Sequence, residues 1–198
     1  MIPPRGLWGI ADRLPSAAAA EAWARTAASC AAWTLRRPDC GDREATGVLR
    51  GWVGAGRWAA THARGDLATA GGAQAVIAGW RGLPLAELRR VFPGLAAGAS
   101  VHDLDEARRA VAAGAAFLVY GPVWETPSKR GLVSARGTDA LTELCATVSV
   151  PVVALGGVSE PHQVELCAHA GAHAVAVLRA ARDGTLCAEL ASAYSSAT

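Results

Sequence analysis

Eight times along this chain a short apolar run gives way to a helix-forming stretch, and no other feature restricts the fold as sharply. The runs are Leu7 to Ile10, Ala31 to Leu35, Trp58 to His62, Ala75 to Ala78, Leu95 to Ser100, Phe117 to Tyr120, Val152 to Leu155 and Ala174 to Leu178. Short, largely apolar segments suit strands buried on both faces. Helix signals stand between them. Ser16 caps a stretch to about Ser29, Asp42 one through Val53, Asp103 one through Ala113 and Thr138 one to Val148. Arg64 to Ala70, Leu83 to Val91, Glu160 to Ala170 and Ala181 to Tyr194 supply the rest. Gly71-Gly72, Phe92-Pro93-Gly94, Gly121-Pro122 and Gly156-Gly157 punctuate the series. Strict alternation predicts an all-parallel sheet covered by helices. Eight units favour closure into an α/β (β/α)8 TIM barrel over an open doubly wound sheet, in a single domain over residues 1–198.

The remaining composition excludes more than it assigns. Nineteen basic and seventeen acidic residues are spread along the chain, so no stripe points to nucleic acid. Five cysteines, with no CxxC pair, imply neither a disulfide framework nor a zinc site and fit a reduced, cytoplasmic protein. No stretch approaches the roughly 20 apolar residues that span a bilayer. The abundant alanines read as genome composition and close helix packing.

In a parallel barrel the reactive groups gather at the C-terminal strand ends, and the loops after strands seven and eight commonly hold a phosphate. Here those loops carry Gly156-Gly157 and Arg179. Side-chain-free residues let backbone amides approach an anion, aided by the start of the next helix; a plain tight turn explains the same pair. Arg179 is either a bidentate phosphate donor or an exposed cation. The loop after Phe117–Tyr120 reads GPVWETPSKRG, and its Thr126, Ser128 and Lys129 offer hydroxyls and a charge to a phosphate, or simply a solvated surface. Ser100 and His102, at the end of the fifth run, reach the same mouth or serve as a cap and a surface group. Asp12, Asp39, Asp66 and Asp103 fall at helix starts or loops, where capping accounts for most of them, and His162, His169 and His173 read as surface residues. No metal site is expected.

From SVHDLDEA at Ser100 through GAAFLVYGPVWETPSKRG and VPVVALGGVSE to AGAHAVAVLRA, the chain resembles the thiamine phosphate synthase and TenI superfamily. Fainter likenesses are LWGIADRL, TLRRPD, HARGDLA and RGLPLAELRR. The resemblance implies the same barrel. In the synthases, which join a hydroxymethylpyrimidine diphosphate to a thiazole phosphate, it implies that Thr126, Pro127 and Ser128 hold the thiazole phosphate with Gly157, Leu178 and Arg179, next to the Gly156 that its place after strand seven already makes an anion-binding candidate. It places Lys129 and Ser100 on the diphosphate, and after strand two, where the family shows a Q-x-R-E-K type run, Arg36 is kept as a phosphate-binding candidate while the lysine is lost.

The chain also departs from that pattern. The family's Asn-Asp pair after strand three aligns with His62-Ala63, and its acidic residue after strand four with Gly82, so both positions resembling magnesium ligands lack a carboxylate. Arg179 replaces a small, usually hydroxylic residue. The histidine that transfers a proton in some TenI proteins stands at Pro122. Glu125, His62 and His102 remain as acid/base candidates, His62 first, because a proton transfer needs a titratable group within hydrogen-bond reach. The resulting expectation is a TenI-like protein of thiamine biosynthesis that binds a thiazole phosphate or similar phosphorylated heterocycle and, if catalytic, isomerises it without a metal. The alternatives are a thiamine phosphate synthase using magnesium and a non-catalytic ligand-binding or regulatory relative. A small phosphorylated ligand is the expected partner, with no nucleic acid and no membrane, and a homodimer is the oligomeric option.

Overall fold

A computed structural model of the chain describes residues 2–13, 16–36, 39–79, 82–125 and 134–198. Among these residues, eight strands alternate with eight α-helices in a closed, all-parallel barrel with strand order β1 to β8. The strands are β1 (Gly6–Asp12), β2 (Ala32–Arg36), β3 (Trp58–His62), β4 (Ala75–Ala78), β5 (Ala96–Val101), β6 (Phe117–Tyr120), β7 (Val152–Leu155) and β8 (Ala174–Val177). The helices are α1 (Ala17–Thr26), α2 (Asp42–Gly54), α3 (Gly65–Gly71), α4 (Leu85–Val91), α5 (Leu104–Ala112), α6 (Gly137–Thr147), α7 (Pro161–His169) and α8 (Gly184–Ser196). Closure comes from β1 pairing with β8, Gly6 opposite Ala174 and Trp8 opposite Ala176. No helix among the described residues is long and apolar enough to cross a membrane.

Period-two alternation divides each strand between two cores. Inside the barrel lie Trp8, Ile10, Ala32, Ala60, Ala75, Ile77, Phe117, Val119, Val153, Ala174 and Ala176. Outside, under the helices, lie Leu7, Trp33, Leu35, Val76, Leu118, Tyr120, Val152 and Val175. Three rings fill the interior, with centroids 5.0 Å apart for Trp8 and Trp58, 5.9 Å for Trp8 and Phe117 and 6.0 Å for Trp58 and Phe117. The alanines facing them leave the necessary room, so part of the alanine content is barrel packing as well as helix packing. Gly98 on β5 serves the same end, since a Cβ there would overlap the Phe117 ring. Gly9 does so outside, where a Cβ would come within 2.8 Å of the Trp33 ring.

Local signals hold at Ser16, whose hydroxyl accepts from Ala19 N at 3.3 Å, and at Asp103, whose carboxylate accepts from Glu106 N at 2.8 Å. Several expectations are corrected. Asp42 is the first helical residue of α2, after Gly41, and binds Arg64 instead of capping. Asp66 likewise lies inside α3 and pairs with Arg64. Arg136, not Thr138, precedes α6. A 3-10 helix, Ala180–Arg182, interrupts the last connection, and α8 starts at Gly184 under an Asp183 cap that accepts from Thr185 N and Leu186 N. His173 is half-buried, its Nε2 donating to Pro3 O at 2.8 Å.

Candidate functional site at the barrel mouth

The inward-facing rows that begin with Trp8, Ala32 and Trp58 end in polar side chains at the C-terminal mouth. On β1 the row runs Trp8, Ile10, Asp12; on β2, Ala32, Thr34, Arg36; on β3, Trp58, Ala60, His62. Register sets Asp12 directly beside Arg36. Arg36 donates from Nε to Oδ1 at 3.1 Å and from Nη2 to Oδ2 at 2.9 Å, a bidentate pair. The Asp12 side chain is only 9% exposed and that of Arg36 27%, so the carboxylate is buried against its cation. Asp12 was expected at a helix start or in a loop; instead it is the last residue of β1, and the pair holds the guanidinium at the β1–β2 edge of the mouth.

His62 Nε2 lies 3.2 Å from the buried hydroxyl of Thr34, which ties the imidazole to β2. Beside it, Ala63 adopts φ +62°, a left-handed conformation that alanine rarely takes. Gly82 packs against it, since a Cβ there would sit 2.7 Å from the Ala63 Cβ. The two positions resembling magnesium ligands are thus neighbours in space, and neither side chain can coordinate. Among the described residues no group of three or more His, Cys, Asp and Glu side chains is arranged to hold a metal ion.

On β5, Ser100 is half-buried and pairs in register with Val119. His102 follows, its Nδ1 3.1 Å from Glu106 Oε2, and the same oxygen accepts the His102 backbone N–H at 2.7 Å. Glu106 therefore orients the ring while helping to start α5.

The β6 and β7 ends are fitted to each other. Gly121-Pro122 is a cis peptide bond, and Val123 N and Trp124 N donate to Leu155 O at 3.0 Å and Gly156 O at 3.0 Å. Gly156 (φ +113°) and Gly157 (φ +74°) have no space for side chains: added Cβ atoms would lie 2.6 Å from Pro122 Cα and 2.6 Å from Trp124 Cβ. The glycines admit the β6 loop against β7, a packing reason beside the anion-binding one. The start of α7 offers an anion less than expected, because Glu160 occupies its N-cap and Gln163 Oε1 already accepts from Ser159 N and Glu160 N. Past Glu125, which is exposed, Thr126, Pro127, Ser128 and Lys129 lie outside the described residues. The chain returns at Arg136 N, bonded to Pro122 O at 2.9 Å, and Gly137 N, bonded to Val123 O at 3.0 Å, so both ends of the loop are fixed at one point of the mouth. Leu178 packs on the inner core, and Arg179 is exposed at the start of the 3-10 helix.

The structure thus brings Arg36, His62, Ser100 and His102 to one end of the barrel with the β6–β8 loops. Sequence reasoning missed Asp12, Thr34 and Glu106 as partners. The first two sit two residues before or after an inward-facing neighbour on their own strand, which was the available signal. Two surface grooves, one along α2 and α3 and one around Val91 to Leu95, include none of these residues.

A family model described as thiamine monophosphate synthase matches residues 60–181, from within β3 to the 3-10 helix after β8. A protein named thiamine-phosphate synthase from Anaeromyxobacter dehalogenans is 42% identical over 118 residues, 59% of this chain and 53% of that protein. The chain thus matches about half the length of that relative. One of the same name from Salinispora tropica is 39% identical over 147 residues, 72% of this chain and 70% of its own. In fold, the chain is similar to a solved thiamine phosphate pyrophosphorylase from Pyrococcus furiosus, with TM-score 0.84, 23% identity and coverage of 97% and 96%. With the family match spanning six of the eight strands of a closed β/α barrel, the chain belongs to the thiamine phosphate synthase and TenI superfamily.

Proposed function

We propose that the mouth of this barrel takes up a thiazole phosphate, or a similarly phosphorylated heterocycle, in thiamine biosynthesis. The observation that carries this reading is the family match over residues 60–181, which takes in every position assigned to the thiazole phosphate side. Gly157, Leu178 and Arg179 contribute a close backbone approach, an apolar wall and a cation. Thr126, Ser128 and Lys129 supply the remaining donors.

For the chemistry, the names of the relatives favour condensation of the thiazole phosphate with a pyrimidine diphosphate. On this reading Arg36, held in place by Asp12, and Ser100 receive the second anion. Magnesium would neutralise a diphosphate leaving group, but Ala63 and Gly82 offer it no donor.

A second reading, metal-independent isomerisation of the thiazole, is favoured by a different observation: the imidazole of His62 stands at the mouth on a buried hydroxyl. Moving a proton near neutral pH is ordinary work for that group. Pro122 cannot share it.

Three assays separate the outcomes. Thermal-shift titration with thiazole phosphate tests the shared claim, and no shift at millimolar ligand would refute it. Thiamine phosphate formed from both substrates, with and without magnesium, marks the condensation. Turnover of the thiazole carboxylate phosphate tautomer, lost in His62→Ala, marks the isomerase; binding with neither turnover leaves a non-catalytic relative.

A further inference from the structure

Cys30 and Cys187 are 157 positions apart, yet their sulfurs lie 4.0 Å from each other. Cys30 occupies the turn before β2, and Cys187 the first turn of α8. Both residues are buried, at 4% and 0% exposure. The Cys30 thiol is directed at the Cys187 sulfur, whose own thiol points to Ala180 O at 3.2 Å. Nearby, the Arg57 guanidinium spans Ala24 O at 2.9 Å and Cys30 O at 3.5 Å. From this geometry we propose that Cys30 and Cys187 form an oxidisable dithiol, converted by a peroxide into a disulfide that ties the start of α8 to the start of β2.

The sulfurs must approach by about 2 Å to reach bonding distance, within the reach of side-chain rotation. Cys187 is the nucleophile. The Cys30 thiol directed at its sulfur lowers its pKa, an effect that outweighs the opposing effects of burial and the Asp183 charge. The Cys187 thiolate attacks a peroxide oxygen, the O–O bond breaks, and hydroxide leaves and takes up a proton. The sulfenic acid so formed is attacked by the Cys30 sulfur. An S–S bond forms, the S–O bond breaks, and the hydroxyl leaves as water with the Cys30 proton. In sum, two thiols and one hydrogen peroxide give one disulfide and two waters. The bond closes a long loop, so the oxidised chain should resist unfolding more than the reduced one.

The test uses the full chain, reduced, freed of reductant and exposed to hydrogen peroxide under native conditions, then alkylated in denaturant and digested. The expected result is a single cross-linked species joining the Cys30 and Cys187 peptides, two hydrogens lighter than their sum and cleaved by dithiothreitol. The thermal midpoint should rise by several degrees and fall back on reduction of the same sample. Cys30→Ser should leave a dimedone-reactive sulfenic acid at Cys187 and show no rise. The proposal is overturned if both thiols stay alkylatable once half-buried Cys40 is fully oxidised, if Cys187 pairs with a different cysteine, or if the cross-link forms only in denaturant. Since the wild-type cross-link and its reversal carry the decision, a serine variant that fails to fold does not protect the proposal.

Discussion

Removing the cation from the Asp12–Arg36 pair should cost far more than removing a surface charge, and the cost should depend on pH. Arg36→Met keeps most of the stem and its packing but takes a bidentate cation away from a carboxylate that is 9% exposed. Breaking a buried pair by removing one partner typically costs 3–5 kcal/mol. Because the Arg36 side chain keeps about a quarter of its exposure, the low end applies, about 3 kcal/mol near pH 7. For a domain of this size that lowers the unfolding midpoint by roughly 6–12 °C. A buried carboxylate that has lost the Arg36 cation takes up a proton more readily than one that keeps it. The folded variant therefore binds more protons than its unfolded form as the pH falls, and the deficit should narrow toward pH 4.5. Asp12→Asn combined with Arg36→Met should recover part of the loss. Urea denaturation of the wild type and these variants at pH 7 and pH 4.5 measures every term. A deficit below about 1 kcal/mol at pH 7, the range of exposed ion pairs, or one that does not change with pH, would refute the assignment of a buried, functioning pair.

The left-handed Ala63 predicts that Ala63→Gly raises stability by about 0.5 kcal/mol, relief of the backbone outweighing the entropy of a freer unfolded chain; a loss above 1 kcal/mol in denaturant titration would count against it. Gly157→Ala should cost roughly 3 kcal/mol, because it adds left-handed strain to an overlap with Trp124 and Glu125, and the same titration checks this. Asp66, whose carboxyl is held below its ordinary pKa first by the hydrogen bond from Arg64, contributes stability that is present above about pH 4 and fades as acid protonates it. Arg64→Gln should shift the acid unfolding midpoint upward by only a small amount, since the pair is largely exposed; an unchanged midpoint would remove Asp66 from the acid transition.

The barrel was legible because short apolar runs broken by glycine, proline and capping residues report local structure directly. Even the weak, alanine-rich β5 was found, and Gly98 shows why it is weak: its strand yields space to Phe117. Contacts made across strands were not legible. Asp12 and Arg36 are 24 residues apart and meet only once the β1–β2 register is known. His62 and Thr34 depend on the neighbouring register in the same way. Asp42 was misread for a different reason: a carboxylate at a helix start suits capping and pairing with a cation equally well, and only the position of Arg64, 22 residues later, decides between them.

The ring cluster inside the barrel bears on how the chain can be divided. Trp8, Trp58 and Phe117 come from β1, β3 and β6, so the bulk of the inner core is shared unequally between the first four strands and the last four. A fragment ending after α4 would hold two indoles with no Phe117 to meet their edges. Its counterpart would carry that phenyl ring among smaller alanine, valine and leucine side chains. Neither half can fill its own interior. Cut at the turn between α4 and β5, the two pieces should find each other and assemble as complementary parts, while two copies of the first piece would overfill the barrel and two copies of the second would leave it hollow.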